Sequence, residues 1–105
     1  MTGRAFVGVN AGANTATVLV LPALTGGLVW DISVIHAGYN ATPTASDPRL
    51  TVAGTGITNP VPLKAAGPAP MPWLGKYPAG AVTITVPAGG SGITGYLNVS
   101  ATEAY

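Results

Sequence analysis

Few residues in this chain can do chemistry. His36 is the one side chain that titrates near neutral pH, and the carboxylates that could partner it are Asp31, Asp47 and Glu103. General base catalysis needs such a partner within hydrogen-bond reach. Asp31 lies on the same strand as His36, so continuous alternation puts it on the opposite face, about 16 Å away by strand rise. His36 therefore reads as a core or edge histidine bonded to backbone, or as a contact between subunits. One histidine, three acids and no cysteine do not furnish the ligand sets of zinc or calcium. No catalytic residue, no metal and no cofactor is expected, and the chain reads as no enzyme.

Two motif-like stretches dissolve on inspection. Gly90, Gly92 and Gly95 match the letters GxGxxG, but the dinucleotide fingerprint requires the last glycine to open a helix facing the pyrophosphate. Here TGYLNVS follows, with the period of a strand, so a hairpin turn is the expectation. A GxSxG nucleophile elbow is absent, and a single histidine leaves no Ser-His-Asp set to assemble.

The remaining candidates are Met71, Trp73 and Tyr77, all in a proline-rich stretch. Their aromatic rings could stack on sugars, cover the core or dock on a partner. Stacking on nucleic acid would call for a basic groove, which four cations cannot make.

Everything that could position these residues reads as strand. LVWDISVIHAGY, residues 28–39, is the longest strand signal, with Trp30, Ile32, Val34 and His36 expected on one face and Asp31, Ser33, Ile35 and Ala37 on the other. Residues 4–9 read as a short strand, followed by a turn rich in Asn and Gly. Residues 15–21 form a near-continuous apolar run, the mark of a central strand buried on both faces. Residues 49–53 place Leu50 and Val52 inward. Val82, Ile84 and Val86 alternate with Thr83 and Thr85, and Ile93, Leu97 and Val99 alternate with polar neighbours up to Ala101. Residues 59–78 hold six of the ten prolines, which excludes helix and central strand and predicts an extended irregular crossover. Six to eight short strands, Gly/Pro/Asn turns and no helical period predict one all-β domain over residues 1–105, an antiparallel β-sandwich of jelly-roll type.

Composition narrows the function. Charged residues make up 7% of the chain, against about 25% in an ordinary soluble domain. The apolar content is too high for a disordered chain. A net charge of +1 gives no electrostatic case for nucleic acid or an anionic membrane and little repulsion between copies. No apolar run is long enough for a transmembrane helix and no signal-peptide core is present, so synthesis in the cytoplasm is the expectation.

Two stretches resemble a known family. WDISVIHAGYNATPTASDPRLTV and AVTITVPAGGSGITGYLNVSA, together about 40% of the chain, are similar to small β-rich structural proteins of tailed bacteriophages. In those proteins a long strand ends in a Gly/Ser-Tyr pair, passes a Pro/Thr/Ala-rich loop and re-enters a Leu-Thr-Val strand, and a glycine-rich turn precedes the closing strand. The resemblance implies a virion component made in the host bacterial cytoplasm, such as a capsid decoration (cement) protein. Its partners would be the major capsid protein or other virion proteins and further copies of itself, with a trimer favoured. The proline segment or residues 1–6 would supply the interface. The competing expectation is a carbohydrate- or receptor-binding β-sandwich of a tail or head fibre, with Trp73, Tyr77 or Tyr39 as platforms.

Overall fold

The computed structural model describes residues 4–9, 12–68 and 74–105, and within residues 4–9 the backbone together with Gly8. Among these residues the chain is all-β and antiparallel. Its strands are β1 (Arg4–Val9), β2 (Thr17–Leu21), β3 (Val29–Tyr39), β4 (Arg49–Gly54), β5 (Ile57–Pro62), β6 (Gly67–Pro68), β7 (Gly75–Lys76), β8 (Val82–Val86) and β9 (Gly95–Ala104). One sheet runs β1-β9-β3-β6, with β7 also paired to β3, and the other runs β2-β8-β4-β5. With β6 and β7 counted as one interrupted strand, eight strands divide between two sheets as in a jelly roll, the doubled Greek key.

The inner faces meet in one core. Trp30, Ile32, Ile35, Ala37 and Tyr39 from β3 and Leu97, Val99 and Ala101 from β9 face Leu19, Leu21, Leu50, Val52, Val82, Ile84 and Val86 of the second sheet. The two large aromatics of β3 bury their rings and still satisfy their polar tips. Trp30 Nε1 donates to the Pro22 carbonyl at 2.7 Å and Tyr39 Oη to the Pro87 carbonyl at 2.6 Å. These prolines follow directly on the ends of β2 and β8, where the ladders stop and carbonyls become free to accept.

The expected face assignment of β3 holds for its first half and inverts in the second. Ile32 pairs with Ala101 and Val34 with Ser100, so Ser33 is an extra residue, a β-bulge that shifts the alternation by one. Beyond it Ile35, Ala37 and Tyr39 face the core, while Val34 and His36 are exposed. The hydrophobic core sets the register here. Continuous alternation would have buried an imidazole and exposed Ile35. The bulge is held by Ser33 Oγ, which donates to the Ser100 carbonyl at 3.2 Å and lies 3.3 Å from Ser100 Oγ. Deleting Ser33 is therefore expected to leave the fold intact at a cost of about 1 kcal/mol. Deleting Ala37 would swap the faces of Gly38 and Tyr39 and unfold the chain; urea titration of both deletions checks this.

Three further expectations are corrected. The 15–21 run is no doubly buried central strand: among the described residues β2 pairs with β8 alone, and its burial alternates, with Val18 48% and Val20 53% exposed. The proline stretch begins as a true strand, since Asn59 to Pro62 belong to β5, paired along its length with β4. Proline fits there because β5 is an edge strand. The Gly90 to Gly95 turn is no hairpin, because β8 and β9 lie in different sheets. Residues 87–94 form a corner between the sheets, bent at Gly90 (φ 117°) and Gly92 (φ 75°). Thr44 and Ala45 donate backbone N–H groups to the Gly89 carbonyl, and Thr94 N donates to Asn40 Oδ1, lashing the 40–48 loop to this corner.

Candidate interaction surface

Of the three residues singled out as contacts, Met71 and Trp73 lie outside the described residues. Tyr77 is in the core, 1% exposed, with its phenol oxygen accepting from Asn59 Nδ2 at 3.3 Å. Of its three possible uses it takes the core-covering one. Tyr39, the other proposed platform, is also 1% exposed. Burial pushes both phenols above their ordinary pKa, with the Asn59 bond acting in the opposite direction on Tyr77. Neither ring is presented to a ligand.

The outward side chains give the two sheets different characters. On the first sheet, His36 is exposed and lies over the Tyr96 ring, centroids 5.3 Å apart and planes inclined at 34°. In register terms His36 stands opposite Asn98, Val34 opposite Ser100 and Gly38 opposite Tyr96. Sequence reasoning missed this pair because the bulge at Ser33 decides the facing of His36. At one end of the same sheet, Asp31 is in register with Lys76 and Thr102, Glu103 with Trp30 and Arg4 with Thr102. Lys76 Nζ donates to the Tyr105 carbonyl at 2.6 Å. Asp31, Glu103 and Lys76 thus share that end of the sheet, where the backbone register also places Arg4.

The outer face of the second sheet is different. Register aligns Val18, Thr85, Thr51 and Pro60 in one row and Val20, Thr83, Ala53 and Thr58 in the next. The rows hold only small, β-branched or proline side chains and no charge. The nearest charge is Arg49 at the start of β4, neutralised by Asp47 at 3.1 Å. The sheet's two margins are also unequal. β5 carries Pro60 and Pro62, which remove donors from that edge, whereas TVLVL of β2 has neither proline nor charge. β2 is thus an unguarded edge with two exposed valines. The sequence signal was present in the strict Val/Leu alternation of residues 18–21, but chain position alone does not reveal which strand lies at an edge.

Thr17 adds a flaw at this margin. It is fully buried and its Oγ1 has no hydrogen-bond partner among the described protein atoms. An unpaired buried hydroxyl costs about 1–3 kcal/mol, so Thr17→Val, which keeps the shape, is expected to raise stability by about 1 kcal/mol in urea unfolding. A fall in stability would show that the hydroxyl is satisfied in solution.

No three of the His, Cys, Asp and Glu side chains among the described residues gather closely enough to hold a metal ion. No protein-family model, no curated protein and no solved structure matches the chain.

Proposed function

We propose that this chain is a non-enzymatic structural protein of a bacteriophage virion, a capsid decoration protein that stabilises the head by binding across capsid subunits. The observation that carries the reading is the outer face of the second sheet, uncharged over the two rows that start at Val18 and Val20, together with its β2 edge, which has neither proline nor charge. Flat, uncharged surface with exposed Val18 and Val20 suits burial against neighbouring protein and suits no ligand that needs charge. The resemblance of residues 30–52 and 81–101 to phage structural proteins supports the same reading. The jelly-roll topology is compatible with it but selects nothing, because the architecture hosts capsid and lectin domains alike. The partners are the major capsid protein and other copies of the chain, for which the resemblance favours a trimer. The protein would be made in the host cytoplasm and reside in the virion.

The test is reconstitution on undecorated shells of the source phage. Saturable binding and a higher shell disruption temperature are expected. No binding to the shells would end the proposal.

A second reading has one observation in its favour, the exposed His36 and Tyr96 pair. An aromatic ring beside an imidazole and the amide of Asn98 is a surface on which a sugar could stack, as a receptor-binding fibre domain would require. Tyr96→Ala should then abolish binding to a responsive glycan. An empty response across a broad glycan array would discard this reading.

A further inference from the structure

We infer that β2 is a self-pairing edge: two copies of the chain join β2 to β2, antiparallel about a twofold axis at Leu19, to make one continuous eight-stranded sheet. The inference sets a twofold pairing in place of the trimer that the resemblance favours, and it rests on the proposed virion role only for its biological use. Its physical basis is the edge itself.

Among the described residues β2 pairs on one side only. Its other side has no strand partner among those residues, so that row of backbone donors and acceptors is a template on which another strand can add. Natural edges of this kind are protected by charge, proline, bulges or extreme shortness. The opposite margin of the same sheet has Pro60 and Pro62, and the β6 and β7 margin of the other sheet consists of two-residue pieces, the first of which contains Pro68. β1 starts at a charged residue, Arg4, and borders β9, whose outward positions are polar (Asn98, Ser100, Thr102). β2 has no device at all.

The occupant is a second copy because the strand is self-complementary. An antiparallel pairing centred on Leu19 sets Val18 of one copy opposite Val20 of the other, twice, on the exposed face. It sets Leu19 opposite Leu19 on the inner face. β-Branched residues opposite one another are favourable cross-strand pairs, and an isologous twofold contact needs this kind of match of a surface with itself. No like charges meet at the joint, and the net charge of +1 adds little repulsion at longer range. The joint also extends the uncharged rows that begin at Val18 and Val20 without a break, doubling the flat surface available to a shell.

Five residues from each copy make a short interface, well below the roughly 800 Å² per partner of stable complexes. The pairing is therefore concentration-dependent, weak in dilute solution and strengthened where copies are held side by side.

The experiment is sedimentation velocity on the whole chain up to about 1 mM, where weak pairs form, with Val20→Lys as the edge-blocking variant. Val20 is half exposed, so the variant should fold, and unchanged circular dichroism and melting verify it. The wild type should show a monomer–dimer equilibrium that Val20→Lys weakens about a hundredfold, since the change acts once in each copy. A second measurement uses the absence of native cysteine. An equimolar mixture of Val18→Cys and Val20→Cys chains, mildly oxidised, should give mixed disulfide dimers in excess over either homodimer, because the opposed positions fall within disulfide reach. A wild type that is monomeric at the highest concentration, a trimer, a dimer unaffected by Val20→Lys, or crosslinks in statistical proportion would each overturn the inference. None of these results needs a phage shell, so failure here is distinct from failure to bind capsid.

Discussion

Alanine at Gly38 is expected to lower the thermal midpoint by roughly 15 °C. Gly38 lies near the end of β3 and pairs with Pro68 of β6 on one side and Tyr96 of β9 on the other. A Cβ at this position would collide with the Gly67 carbonyl oxygen and come within 3.0 Å of the Tyr96 hydroxyl. A side-chain tip can turn away from such a collision, but a backbone carbonyl in a sheet cannot without the strand moving. The two-residue β6 would have to leave β3, which exposes the Tyr39 end of the core. The cost is about 3 kcal/mol, a large share of the roughly 5–15 kcal/mol that holds a domain of this size. Differential scanning calorimetry measures it, and an unchanged midpoint would show that β6 is not seated on β3 as described.

Ile84→Ala is expected to cost about 4 kcal/mol, at the upper end for a buried isoleucine. Ile84 is fully buried at the middle of β8, in register with Leu19 of β2 on one side and Val52 of β4 on the other. It is the centre of the row that closes the second sheet over the core. Three strands meet there, so little can collapse into the space left by the missing carbons, and the cavity term is felt in full. The neighbours on the same strand provide the contrast. Thr83 and Thr85 point outward, and alanine at either should change stability by less than about 0.5 kcal/mol. Equal losses at Ile84 and Thr85 in urea titration would mean that the inside and outside of β8 have been exchanged.

Where the pleat was regular, the sequence was a reliable guide. The 82–86 and 93–101 alternations, the inward Leu50 and Val52, the bounds of β1 and the jelly-roll class all follow from period-two patterning and from the absence of any helical period. Where one residue interrupts the pleat, it was not. Ser33 is unremarkable in the sequence, yet as a bulge it inverts the second half of β3 and carries His36 from the expected core to the surface beside Tyr96. Strand order was the other hidden quantity. TVLVL reads as a buried central strand because its exposed residues are valines, and apolar side chains on both faces look alike whether the outer face meets another layer or solvent. That same ambiguity concealed the proposed interaction surface. Charge poverty in the sequence motivates the proposal of a covered surface, and its proposed location at β2 and its neighbours rests on the sheet order.

The proposal that this chain decorates a phage head is tested most directly by counting its copies per purified particle of the source phage, using quantitative mass spectrometry against the major capsid protein. A decoration protein bound at repeated lattice sites should be present in hundreds of copies. A handful of copies would contradict a lattice role and move the chain to the portal, tail or fibre, and none at all would contradict a place in the virion.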